Sequence, residues 1–314
     1  MTVDQETTRA LLLELEPVVE TNLNRHIGLA KEWFPHEYVP WSDGTNFDGP
    51  LGGTAWTPDQ SKLSDVARTS LIVNLLTEDN LPSYHHEIAS MFGRDGAWGD
   101  WVHRWTAEEG RHGIAIRDYL LTTRAVDPIA LERMRMTHMA TGFQNDHDET
   151  ILHSIAYVSF QELATRVSHR NTGKFSGDPI CDAMLSRIAT DENLHMVFYR
   201  NLLEASLEVS PNLAMRAISD VVRDFQMPGH GIENFSRKSV QIAMAGIYDL
   251  RIHHDEVLIP VLKKLKVLET PNLTDDGAKA RDELAEFMTH LDTQATRFTE
   301  RRDAHHARLA ARKG

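Results

Sequence analysis

The sequence predicts an all-α protein, a four-helix bundle carrying additional helices, and three observations lead there. Apolar residues recur every three or four positions along most of the chain, the period of helices with one buried face. Alternating strand patterns are scarce. Two Glu-x-x-His words occur, Glu109/His112 and Glu192/His195, each with a lone Glu upstream at a matching distance: 109 − 78 = 31 and 192 − 162 = 30 residues. Two such pairs and two further glutamates, each on its own helix, make up the ligand set of a carboxylate-bridged di-iron or di-manganese centre in a bundle core.

Taken in order, Thr8 to Trp33 reads as a helix with Leu11, Leu15, Val19 and Leu23 on its apolar side and a bend near Pro17. Residues 34–59, with Pro35, Pro40, Pro50, Pro58 and several glycines and aromatics, read as an irregular covering segment. Helices are then expected at about Ser64 to Met91, Ala97 to Thr123 and Pro128 to Thr141, followed by the polar loop GFQNDHDE. Two more are expected at about Thr150 to His169 and Pro179 to Leu207. After Pro211 come a helix to Gln226, a turn at MPGHG, short helices around Lys238 and Val257, and a charged helix and tail over about 278–314. One domain spanning 1–314 accommodates all of them.

Composition narrows the function. A formal net charge of −13 argues against a nucleic-acid binder, which needs a concentrated basic footprint. The single Cys181 leaves no intramolecular disulfide and no cysteine zinc site. No window approaches the roughly 20 apolar residues that span a bilayer, and the first residues carry acidic groups rather than a basic leader. A soluble, cytoplasmic protein is expected.

Periodicity places the chemistry. One helix reads Trp98, Trp101, Trp105, Glu109, His112, Ile116, Leu120, and another Leu185, Ile188, Glu192, His195, Tyr199, Leu202. Leu71 and Leu75 lead to Glu78 at the same spacing, as Ile155 and Ser159 lead to Glu162. Every carboxylate thus falls where a buried residue belongs, and an unpaired buried carboxylate costs several kcal/mol or neutralises itself. A metal removes that cost, and four carboxylates balance two divalent ions. Such a donor set suits iron or manganese better than zinc. Glu109 lies on the stripe with His112, which leaves Glu108 to the outer face or to a supporting contact. The doublets His85-His86, His253-His254 and His305-His306 read as surface or capping groups, and Met134, Met136 and Met139 as core filler.

Around these residues the chain resembles the soluble acyl-acyl carrier protein desaturases of plant plastids and actinobacteria. The matching words are WFPHEYVP (Trp33 to Pro40), LTEDNLPSYH (Leu76 to His85), WTAEEGRH (Trp105 to His112), FQELATRVSHRNTG (Phe160 to Gly173), TDENLH (Thr190 to His195) and FQMPGH (Phe225 to His230). The resemblance implies a ferritin-like bundle in which Glu78, Glu109, His112, Glu162, Glu192 and His195 hold two iron ions, Glu109 and Glu192 bridging, with manganese possible as purified. It implies that Thr165 lies beside the oxygen site, that Trp33 and Asp191 form an electron path with His112, and that Thr77 and Trp105 lie near the substrate channel. The implied partners are an acyl carrier protein bearing a saturated chain, a ferredoxin-type electron donor, dioxygen and a second copy of the chain in a homodimer. Asn193 and Leu194 stand where the plant enzymes carry basic residues, so carrier docking must use other groups, Arg25 and Lys31 being the first considered. A related di-iron hydroxylase or oxygenase, or a metal-binding, non-desaturating or iron-handling relative, would share the ligand spacing.

Overall fold

The computed structural model describes residues 5–142, 150–229 and 231–312. The predicted polar loop, apart from Gly142, and His230 of the MPGHG turn lie outside the described residues. Four helices close a ring in the order α2 (Asp65–Asp79), α4 (Gly96–Thr122), α7 (Pro179–Val209) and α6 (Ile151–Ser176), each packed on the next and the last on the first. Helix α1 (Gln5–Leu29) lies against α4 and α7, and α3 (Leu81–Phe92) against α4 and α6. Beyond the ring, α8 (Pro211–Arg223) packs between α6 and the long α12 (Asp275–Ala311). Apart from an isolated bridge between Phe47 and Thr54, the described residues contain no strand.

Local chemistry sets the boundaries. Ser64 caps α2 by accepting from the Ala67 amide at 3.2 Å. Gly177, at φ +69° in the left-handed region, ends α6, and the Asp178 carboxylate accepts from the Ile180 amide at 2.9 Å to start α7. That two-residue connection makes α6 and α7 antiparallel neighbours. Pro17 does not end α1, which runs through it.

The helix expected at Ser64 to Met91 is two helices. Pro82 has no amide hydrogen to offer the Glu78 carbonyl four residues back, and the Asn80 amide bonds to Glu78 and Thr77 instead. The chain therefore breaks into α2 and α3 two residues past Glu78, and a cavity opens there.

Two apolar clusters fill the interior. One gathers Leu15, Trp101, Ile155, Phe160, Tyr199 and Leu202 with the buried face of α8. The other gathers Leu71, Leu75, Ile116, Leu120, Leu185 and Ile188. Along α4 the first cluster ends at Trp105 and the second begins at Ala115, while along α7 the second ends at Ile188 and the first begins at Met196. The Glu-x-x-His pairs occupy the gap on both helices, a polar layer sealed by apolar packing on each side.

Residues 34–59 are irregular, as expected, with short 3-10 turns at Pro35–Glu37 and Trp41–Asp43. Two expectations fail. Met136 is 71% and Met139 40% exposed, because only the Leu131 and His138 positions of α5 (Pro128–Thr141) are buried. His253 and His254 are not surface groups: they begin a π-helical turn (His253–Leu258) between α10 (Leu250–Ile252) and α11 (Ile259–Lys264). The His253 ring stacks on Phe225 at 4.9 Å and its Nδ1 lies 2.8 Å from the Tyr248 hydroxyl, while His254 is buried beside Asp255.

Candidate metal centre

The six predicted ligands converge. Glu78, Glu109, His112 and Glu192 each bring one donor atom within 4.8 Å of the others, and so do Glu109, Glu162, Glu192 and His195. Glu109 and Glu192 belong to both groups. His112 Nδ1 is 3.2 Å from Glu109 Oε2 and 3.2 Å from Glu192 Oε1; His195 Nδ1 is 2.7 Å from Glu109 Oε1 and 3.6 Å from Glu162 Oε2. None of the six residues is more than 8% exposed.

The donor atoms fit a cation. Glu109 Oε1, Glu162 Oε2, Glu192 Oε1 and both imidazole Nδ1 atoms are buried without a hydrogen-bond partner, although buried polar atoms are almost always paired. Burial, then the charges of Glu109 and Glu162, push the Glu192 carboxyl well above its ordinary range. A positive ion at the convergence point would satisfy the orphaned atoms and relieve that repulsion.

The outward faces of His112 and His195 are held by carboxylates. His112 Nε2 lies 3.4 Å from Asp191 Oδ2, and His195 Nε2 lies 2.9 Å from Glu108 Oε2. Metal-bound imidazoles commonly donate to a carboxylate in this way. Trp33 donates its indole N–H to Asp191 Oδ2 at 2.7 Å, stacks on His112 with ring centroids 6.3 Å apart, and sits under the Arg111 guanidinium. Burial would raise Asp191, yet the bonds from His112 and Trp33 and the charge of Arg187 hold it at about 2. The expected grouping of Trp33, Asp191 and His112 is therefore present as a contiguous contact chain. The Thr165 hydroxyl is 3.2 Å from Glu192 Oε2 and 3.0 Å from the Glu162 carbonyl. Trp105, placed by resemblance near a channel, donates its indole N–H to Glu162 Oε1 at 3.0 Å.

Two participants, His169 and His26, were missed from the sequence. His169 Nε2 donates to Glu78 Oε1 at 2.8 Å, its Nδ1 accepting from the Asn74 amide at 3.2 Å. His26 Nε2 lies 2.8 Å from Glu108 Oε2. The available signal was helical register. His169 follows Glu162 and Thr165 by seven and four positions on α6, and His26 continues the Leu15, Val19, Leu23 stripe of α1. Glu108 is 4% exposed and lies behind His195 rather than on the outer face.

Two cavities meet the centre. One, of about 730 Å³ including its mouth, is walled by Leu81, Tyr84, Ile88, Trp105 and Val158 and reaches Glu78, Glu109, Glu162 and Glu192. The other, about 590 Å³, lies on the Thr165 and His169 side under Met227, Pro228, Phe235, Ile242 and Tyr248. Thr77, Glu78 and Pro228 line both.

The sequence profile of the fatty acid desaturase family matches residues 7–312. The chain belongs to this family. It is 54% identical over 299 residues to the "Putative acyl-(acyl-carrier-protein) desaturase DesA1" of Mycobacterium tuberculosis, covering 93% of this chain and 88% of that one. The similarly named DesA2 of the same organism is 38% identical, covering 89% of this chain and 97% of that protein. The chloroplastic stearoyl-(acyl-carrier-protein) 9-desaturase 6 of Arabidopsis thaliana is 30% identical, covering 77% and 65%. The X-ray structure of the M. tuberculosis DesA2 superposes with a TM-score of 0.72 at 32% identity, covering 88% of this chain and 99% of that chain. The desaturase family's fold here is a ferritin-like helical one.

Proposed function

We propose that this desaturase-family chain removes two hydrogens from the alkyl chain of a saturated acyl-acyl carrier protein, leaving a cis double bond. The observation that carries the reading is the opening of an apolar cavity directly onto two donor clusters that share Glu109 and Glu192. The reaction balances as one dioxygen, two electrons and two protons consumed with the two substrate hydrogens, giving two waters. Two iron ions held by Glu78, Glu109, His112, Glu162, Glu192 and His195 would supply the activation of dioxygen that cleaving an unactivated C–H bond requires.

The residues of the chain do the rest. Leu81, Ile88, Trp105 and Val158 provide an apolar wall along which a methylene chain can lie without water. Trp105 fixes the Glu162 carboxylate, so it keeps its orientation when the cavity is filled, and the Thr165 hydroxyl, shared with the Gln161 and Glu162 carbonyls, lies beside the Glu192 carboxylate. Trp33 and Asp191 connect the covering segment to His112 and form the route for electrons from a ferredoxin-type donor. No helix among the described residues is long and apolar enough to cross a membrane; the reading includes a cytoplasmic homodimer.

The test is an iron-loaded, reduced preparation given acyl carrier proteins charged with saturated chains of several lengths, with products resolved by mass spectrometry. A product lighter by two hydrogens is expected. An alcohol would reassign the chain as a hydroxylase, and no oxidised product from any chain length at full iron occupancy would overturn the reading.

A further inference from the structure

We propose that His26 and Glu108 are positioning residues for His195, the mirror of Trp33 and Asp191 behind His112, and that each arm governs metal retention on its own side of the centre. The inference rests on the two-metal reading above.

The two arms are built by exchange. Glu108 immediately precedes Glu109 on α4 and accepts from His195 of α7; Asp191 immediately precedes Glu192 on α7 and accepts from His112 of α4. Each shared carboxylate thus has as its chain neighbour the group that orients the opposite helix's imidazole. A ring lies over each histidine on its outer side: Trp33 over His112, with 16° between planes, and His26 over His195, at 5.6 Å and 24°. The ring also bonds the orienting carboxylate in both cases, Trp33 Nε1 to Asp191 at 2.7 Å and His26 Nε2 to Glu108 at 2.8 Å. Arginines anchor both carboxylates, Arg104 on Glu108, and Arg111 and Arg187 on Asp191.

The consequence is local. When Nε2–H donates to Glu108, His195 presents the Nδ1 lone pair to the centre and its ring is locked against rotation. His26 is 1% exposed, wedged edge-on against Trp101 at 5.1 Å, so it holds Glu108 from a fixed position rather than by a mobile contact. Groups that orient a ligand in this way commonly change metal affinity by about 10–100-fold. The Glu108 arm bonds the imidazole of His195 and the Asp191 arm that of His112, so each loss should fall on one cluster: Glu109, Glu162, Glu192, His195 for the first and Glu78, Glu109, His112, Glu192 for the second.

The experiment is an anaerobic Fe2+ titration of the full chain, read by bound ions per chain and, after oxidation, by the spectrum that separates an isolated ferric ion from a coupled pair. Wild type should bind two ions and show the coupled pair; binding of fewer than two would defeat the two-metal reading itself. Glu108→Gln and Asp191→Asn should each keep one tight ion, lose the other by about ten-fold or more in affinity, and show the isolated-ion spectrum. His26→Ala should reproduce the Glu108→Gln loss, and His26→Gln, which retains an N–H donor, should recover most of it. Two ions at wild-type affinity in Glu108→Gln, or equal loss of both ions with a normal melting curve, would overturn the proposal.

Discussion

His169 donates its Nε2–H to Glu78 Oε1 at 2.8 Å, and the Asn74 amide, 3.2 Å from Nδ1, fixes the tautomer that makes this possible. Ser168 donates to Asn74 Oδ1 at 3.1 Å, so the contact is the end of a buried polar chain rather than an isolated bond. Glu78 stands at the end of α2, two residues before the α2–α3 break, so this side-chain contact fixes a carboxylate on the helix's last turn. His169→Phe should therefore lower metal affinity by about 10–100-fold with little change in fold. Calorimetric Fe2+ titration checks it; unchanged affinity would show that Glu78 is held by the backbone alone.

Trp105 contributes both a wall of the cavity lined by Leu81, Ile88 and Val158 and the indole N–H on Glu162. Trp105→Phe keeps most of the wall and removes the donor. A hydrogen bond to a charged group is worth about 1.5–3 kcal/mol, so kcat/KM on a saturated acyl-acyl carrier protein should fall by about ten-fold or more while two ions remain bound. A fall in substrate binding with unchanged kcat would instead assign the indole to packing.

The fold class and the six converging residues were legible in the sequence for one physical reason. Carboxylates at positions that helical period reserves for buried residues are costly without a cation, so their placement is itself a signal. His26 and His169 carry no such signal. The partner of each lies 82 or 91 positions away, and only the packing of α1 on α4 and of α2 on α6 brings them together. The α2–α3 break was concealed differently, since the apolar period continues across it while Pro82 acts on a carbonyl four residues earlier. The buried π-helical turn at His253 was hidden because a His doublet reads as polar whether or not its ring stacks on Phe225.

Arg124 pins the covering segment. It is 8% exposed, adopts φ +52°, and its guanidinium donates to Gln60 Oε1 at 2.9 Å and to the carbonyls of Thr54 and Ala55 at 3.0 and 3.2 Å, with the Phe47 ring 4.1 Å away. Its own carbonyl accepts from the Trp56 indole at 2.9 Å. Arg124→Ala removes the guanidinium hydrogen bonds that tie the Gln60 side chain and the Thr54 and Ala55 carbonyls to α4's end and should destabilise the protein by about 1–3 kcal/mol. Amide exchange should quicken over residues 44–60 and leave α6 and α7 unchanged. Uniform quickening across all helices would show that the segment is part of the main cooperative unit.

His253 gives the protein a pH dependence away from the centre. Burial, then the charge of His254, pushes its pKa from 6.5 down to about 4. The native state therefore keeps the ring neutral between pH 6.5 and 4, while the unfolded chain takes up a proton below 6.5. Stability from this group is complete above pH 6.5, falls as the pH drops towards 4, and changes no further below that. A shift of this size corresponds to at most about 3 kcal/mol, and residual exposure of the ring brings it nearer 1–2 kcal/mol. His253→Gln, which can still accept from the Tyr248 hydroxyl, should flatten the fall in melting temperature between pH 6.5 and 4 and match the wild-type slope above pH 7. Parallel curves for the two proteins across that acid window would show that His253 titrates alike in the native and unfolded states.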